Sequence, residues 1–189
     1  QDRSATRRGG PAAHHVYGEP LCINAGTAAY FTCEQLLDVP ELSYETRVKC
    51  YKLYFACLRA GHAGQALDIH GNDYMMDQVV ETGDADLLRK RILAIHRLKT
   101  AAPAGTLARL GATVGGGTDA QVEAIGQFME AVGVAFQIMD DVLNLKGIYA
   151  KDADKLKKGT MLKTLGEDIM EGKITFPVAM FLGKCKDKA

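Results

Sequence analysis

The run Phe136-Gln137-Ile138-Met139-Asp140-Asp141-Val142-Leu143-Asn144 sets two adjacent carboxylates and two amides into a segment, Val132 to Leu145, that is otherwise almost entirely apolar. In a helix Gln137, Asp140, Asp141 and Asn144 are spaced by three or four residues and project from one face. Adjacent carboxylates on such a helix cost free energy unless a cation or a basic partner neutralises them. A merely solvated acidic face would need polar neighbours, which this run lacks. Oxygen-only ligands suit Mg²⁺, which usually keeps several waters and shares its shell with substrate phosphates. The run therefore predicts a Mg²⁺–diphosphate site in a helical protein.

The rest of the chain supports a helical fold, with only five prolines among 189 residues. Residues 1–20 are polar and basic, and 21–37 read as a buried, Ala-rich helix closed by Val39-Pro40. Ser43 reads as the N-cap of a helix to about His70, with Val48, Tyr51, Tyr54, Phe55 and Leu58 as its apolar stripe. A short helix spans Asp73 to Glu81, and residues 85–102 and 104–114 are helical on either side of Pro103, a helix start or a kink. Gly115 to Gly117 form a turn, with Thr118 or Asp119 capping a long helix from about Ala120 to Leu145. The Lys-rich stretch 146–172 reads as a loop, and a last apolar helix runs over 174–182. No strand alternation is evident, so the expected fold class is all-α in a single domain, 1–189.

Bulk properties narrow the function. Lys plus Arg equals Asp plus Glu at 23 each, which argues against nucleic-acid binding driven by overall charge. No run of about 18 apolar residues predicts a membrane span. Five cysteines without CxxC spacing argue against a disulfide framework or a zinc site, and for a reduced, cytoplasmic setting. Affinity for a polyanion must then come from local clusters.

Four such clusters stand out. Arg7-Arg8-Gly9 follows Asp2 and can clamp phosphate oxygens bidentately. Gln65 and Asp68 share a helix face within Gly64-Gln65-Ala66-Leu67-Asp68. Lys99-Thr100 sits at a helix end, where the lysine serves either the last carbonyls or a diphosphate. Lys163 and the Glu171-Gly172-Lys173 segment place further cations downstream of the acidic helix. Each taken singly is also compatible with an ordinary surface or core contact. Gly115 to Gly117 lack the lysine and spacing of a phosphate-binding P-loop.

In this order, over essentially the whole chain, the motifs resemble those of the trans-isoprenyl diphosphate synthases. The Asn144 ending, in place of the more usual Asp, resembles eukaryotic and fungal geranylgeranyl diphosphate synthases. Gly64 to His70 and Ala94 to Lys99 are similar to the prenyltransferase domains of fungal bifunctional terpene synthases.

The resemblance implies an isoprenoid-synthase-type helical bundle around a central cavity. It implies head-to-tail condensation of an allylic diphosphate with isopentenyl diphosphate, giving geranylgeranyl diphosphate, with three Mg²⁺ per site and assembly as a homodimer or larger homo-oligomer. By the same resemblance, the metal ligands are Asp2, Asp68, Asp140, Asp141 and Asn144. Arg7, Lys99, Thr100, Gln137, Lys163 and Lys173 bind the allylic diphosphate, Arg8 meets isopentenyl diphosphate, and Lys99, Gln137, Asp140 and Lys163 act at the reacting centre. Against the family pattern, the first acidic motif keeps only its last member, Asp2. The expectation is therefore the central part of a catalytic domain, its first and last helices missing, inactive on its own. The alternatives are a class I terpene cyclase, which needs no second diphosphate site, and a non-catalytic subunit of a prenyl synthase.

Overall fold

The computed structural model describes residues 6–7, 10–149, 161–163 and 165–184. Strands β1 (Thr6–Arg7) and β2 (Gly10–Pro11) pair antiparallel and lead into α1 (Ala13–Tyr17) and α2 (Glu19–Glu34). A 3₁₀ turn at Gln35–Leu37 ends this arm. Helix α2 covers the expected run, but it is not the buried helix the sequence suggests, for none of its residues is buried. Its apolar residues lie around the whole circumference; it packs on α1 and the 3₁₀ turn, and two tyrosine hydroxyls of α3 (Tyr44–His70) tie it to that helix. Those ties are Tyr51 Oη to Glu34 Oε1 at 2.5 Å and Tyr54 Oη to the Tyr30 carbonyl.

Helix α3 begins where Ser43 predicts, the Ser43 hydroxyl accepting from Thr46 N–H at 3.1 Å. Its buried residues are Cys50 and Gly64 rather than the expected stripe, which is half-buried, with Phe55 exposed. A 3₁₀ turn at Asp73–Met75 runs into α4 (Met76–Thr82), which Gly83 closes in the left-handed conformation at φ 67°.

Helix α5 (Asp86–His96) and α6 (Ala102–Val114) are one rod instead of two helices separated at Pro103. They are joined by a π-helical turn, Arg97–Ala101, in which Ala102 N–H reaches back to the Arg97 carbonyl. Proline in a helix interior removes an amide donor and collides with the carbonyl four residues earlier. The wider π turn upstream of Pro103 accommodates both effects, and such turns recur at functional sites.

Thr118 caps α7 (Asp119–Lys146) with a reciprocal Gln121 capping box. By length and composition α7 could cross a membrane, which the sequence reading did not anticipate. Here it packs along α6 and the π turn, and it carries buried Asp141 and Asn144. Only 11% of its most apolar 18-residue window is buried.

The stretch expected as a loop contains a second antiparallel ribbon, β3 (Ile148–Tyr149) with β4 (Met161–Lys163), and a short helix α8 (Glu167–Met170). The final helix, α9 (Phe176–Leu182), starts at Pro177's turn, two residues later than expected.

Two packing devices hold the bundle. Met75, Val79, Ala85, Leu88, Ile92 and Ala179 form the apolar core joining α4, α5 and α9, flanked by Ile174, Phe176 and Leu182. Between α6 and α7, Arg109 donates to both oxygens of Glu123 and to Glu130 Oε1 at 2.6 Å. Gly105 and Gly126 leave the room that this guanidinium fills. The described cysteines 22, 33, 50 and 57 are free thiols, as the spacing predicts.

Candidate active site

The polar motifs converge where the π turn passes between α3 and α7. Glycines set this close approach. A Cβ on Gly64 would lie 2.6 Å from Lys99 N, and one on Gly133 would lie 2.7 Å from Ala101 Cα. The backbone of the turn thus touches both flanking helices, and its side chains reach each of them. Lys99 Nζ donates to Asp68 Oδ2 on α3 at 2.6 Å. Thr100 Oγ1 donates to Gln137 Oε1 on α7 at 2.7 Å. Three motifs separate in sequence are therefore one polar belt.

The expected acidic face of α7 is divided. Asp140 is part-exposed. Asp141 is only 5% exposed, and its Oδ2 accepts from Phe176 N–H at the start of α9 at 3.1 Å and lies 3.3 Å from His96 Nε2. Gln137 Nε2 makes a longer contact, 3.5 Å, to Asp141 Oδ1. Asn144 is 0% exposed, and its Oδ1 accepts from Asp168 N–H at 3.2 Å. The neighbouring carbonyl of Asn144 accepts from Gly166 N–H at 2.9 Å. The partners of Asp141 are a backbone amide and an imidazole, which satisfy its oxygen by hydrogen bonding rather than by opposite charge.

On the other side of the site, β1 lies beside β4, so the chain segments of Arg7 and Lys163 come together, with Arg7 exposed. Lys163 is paired in register with Ile148, just beyond α7. Lys173 Nζ pairs with Glu171 Oε2 at 2.9 Å. Asp2 and Arg8 fall outside the described residues. Phe136 is 66% exposed, and Val132 and Met139 on the same side of α7 are exposed too.

A divalent cation could be held by Asp68 and Asp140, two hard-oxygen donors that solvent still reaches. Among the described residues no group of three or more His, Cys, Asp or Glu is poised to hold a metal unaided. Mg²⁺ is usually bound through one or two carboxylates with substrate phosphates and water completing its shell. Of the oxygens expected to face a cation, Asp141 Oδ2 and Asn144 Oδ1 accept backbone amides at the starts of α9 and α8, while Asp141 Oδ1 has the longer contact to Gln137.

His96 was not among the sequence candidates. Its only signal is position: it lies three residues before Lys99, on the buried face of α5 that continues Leu88, Ile92 and Ile95. A polar ring on an apolar face calls for a partner, which the sequence does not name.

Comparison of the backbone with solved structures places the fold among the helical isoprenyl diphosphate synthases. Geranylgeranyl pyrophosphate synthetase from Pyrococcus horikoshii superposes with a TM-score of 0.76 at 27% identity, over 99% of this chain and 51% of that one. A geranyltransferase from Helicobacter pylori, solved with magnesium and isoprenyl diphosphate, shares the fold with a TM-score of 0.68 at 22% identity, over 97% of this chain and 56% of that one. Among curated relatives, the chloroplastic geranylgeranyl pyrophosphate synthase 7 of Arabidopsis thaliana is 34% identical over 191 residues, 100% of this chain and 50% of the relative. The polyprenyl synthetase family model matches residues 1–189, and the chain belongs to that family. It spans about half the length of the curated relatives it matches.

Proposed function

We propose that this chain supplies the diphosphate-holding part of a Mg²⁺-dependent trans-prenyltransferase. The reaction condenses an allylic diphosphate with isopentenyl diphosphate, and geranylgeranyl diphosphate is the product the relatives' names favour. The single observation that carries the proposal is the belt Asp68–Lys99–Thr100–Gln137, beside the part-exposed Asp140.

Without ligand, the Lys99 ammonium rests on the Asp68 carboxylate, so neither charge lacks a partner. A diphosphate–cation pair satisfies the same two charges the other way round, lysine to phosphate and aspartate to cation. The exchange conserves charge and needs only side-chain rotation. Mg²⁺, when bound with the diphosphate, supplies neutralisation of the charge that grows on the departing oxygen. Lys99 steadies that oxygen from the π turn, Thr100 holds the Gln137 amide in place, and Arg7 from the first ribbon, Lys163 from the second and Lys173 from beyond α8 add positive charge. Arg8 is assigned to isopentenyl diphosphate. The allylic cation then alkylates the isopentenyl double bond, and the proton lost passes to the released diphosphate. Asp2, Asp68 and Asp140, far apart in sequence, are the proposed ligands for the three metals expected from the family. Asp141 and Asn144 are assigned to hold the frame behind Asp140.

A homo-oligomeric state and a chloroplast, mitochondrial or cytoplasmic location all accord with this reading, since relatives are named for the first two compartments. The test is calorimetric titration of the folded chain with geranyl diphosphate, with and without Mg²⁺. Binding should require Mg²⁺ and weaken by about tenfold to a hundredfold in Lys99→Ala, the weight of a charged hydrogen bond. A folded chain with no Mg²⁺-dependent binding would overturn the proposal. Supplying isopentenyl diphosphate to an active form separates elongation, which consumes it, from cyclisation, which does not.

A further inference from the structure

We propose that His96 is a positioning residue of this site. It acts through Asp141 to fix α7 against α9, and so sets where the neighbouring Asp140 projects from α7. The inference rests on the proposed diphosphate site but is carried by a separate set of contacts. His96 is 6% exposed, at the end of α5, one residue before the π turn that bears Lys99 and Thr100. Its Nε2 is 3.3 Å from Asp141 Oδ2, the same oxygen that accepts from Phe176 N–H at 3.1 Å. Its ring lies 6.4 Å from that of Phe176, tilted by 52°. Nδ1 is buried with no hydrogen-bond partner among the described residues. The proton is therefore assigned to Nε2, where it meets an acceptor, and Nδ1 is the bare nitrogen.

Asp141 thus gathers α5 through His96, α9 through Phe176 N–H, and its own helix through Gln137, whose amide oxygen faces Thr100. The Gln137 amide is oriented by this chain: oxygen to the hydroxyl donor, nitrogen to the carboxylate. Rotation of α7 by one residue, about 100°, would swap the positions of Asp140 and Asp141. The buried three-way junction opposes that rotation, because it would leave Phe176 N–H and the imidazole without an acceptor. Partners one step behind a ligand commonly set its orientation in this way.

The test compares three substitutions in the chain. His96→Leu fills the space but removes the donor. His96→Gln restores an N–H near the Nε2 position. Ile92→Ala, one turn earlier on the same buried face, damages packing alone. Hydrogen exchange at the Phe176 amide, followed by NMR, reads the junction without any ligand. Inorganic diphosphate titrated in the presence of Mg²⁺ reads the site. His96→Leu should speed Phe176 exchange and weaken diphosphate binding about tenfold, as loss of such a partner commonly does. His96→Gln should recover most of both. Ile92→Ala should lower the thermal midpoint yet leave both readouts near wild type. Unchanged Phe176 exchange in His96→Leu, or equal effects from Ile92→Ala, would overturn the inference. If wild type binds no diphosphate, the proposed function fails, while the Phe176 amide still decides whether His96 holds the junction.

Discussion

Asp140 and Asp141 are neighbours in sequence with opposite circumstances. Asp141 is buried and accepts from Phe176 N–H and His96, whereas Asp140 is reached by solvent. Removing a buried acceptor leaves its donors unsatisfied, at about 1–3 kcal/mol for each. Asp141→Leu is therefore expected to lose about 2–4 kcal/mol in urea unfolding, allowing for partial relaxation. Asp140→Asn, at a carboxylate that solvent reaches, should lose less stability than Asp141→Leu while abolishing Mg²⁺-dependent binding. Equal stability losses in the two variants would contradict the division of labour drawn for them.

At the scale of elements, the question is where a glycine is needed and where it is only tolerated. Helix α3 offers both cases. Gly64 is buried, and a Cβ there would meet Lys99 N at 2.6 Å and Leu98 Cβ at 2.7 Å, while nothing lies within 4 Å of one on Gly61. Alanine gains about 1 kcal/mol over glycine in a helix interior, but overpacking costs about 1–3 kcal/mol. Gly61→Ala should therefore raise stability by about 0.5–1 kcal/mol, while Gly64→Ala should lower it and push Lys99 away from Asp68. Chemical denaturation of the pair checks the sign. The start of α7 gives a second, independent case: Thr118→Ala removes the hydroxyl that accepts from Gln121 N–H, the side-chain arm of its capping box, and should cost about 1 kcal/mol. Circular dichroism during unfolding would report it.

The α6–α7 hairpin is the largest packed unit of the whole molecule, and Arg109 pins it with two carboxylates. Hydrogen bonding to Arg109 holds the Glu123 carboxyl below its ordinary value of 4.5. A depressed folded pKa means the contribution to stability is complete above the unfolded value and fades as pH falls through the folded one. Thermal midpoints of wild type and Glu123→Gln should therefore differ near neutral pH and converge well below pH 4.5. Because Glu123 is open to solvent, the difference should be small and should shrink further in high salt. The opposite side of α7 is the other feature at this scale. Phe128, Val132, Phe136 and Met139 recur at helical spacing and are exposed.

Helix existence, most caps and the chemical character of the site were legible in the sequence, because each rests on local physics. Periodicity set the helices, Ser43 and Thr118 marked starts, Gly83 marked an end, and acids stranded in an apolar run demanded partners. Ordered motifs were sufficient to indicate the family. What the sequence could not hold was anything decided by contact between distant segments. The merger of two helices through a π turn depends on how the rod fits between Gly64 and Gly133. The exposure of α2 depends on what packs against it. Burial of Asp141 and Asn144, with Asp140 left open, depends on where α8 and α9 return to α7. His96 gains its meaning from an aspartate 45 positions away. Residue spacing alone determined that a polar face exists on α7. Tertiary structure decided which members of that face hold the fold and which stay accessible, because burial and hydrogen-bond partners belong to the packed molecule.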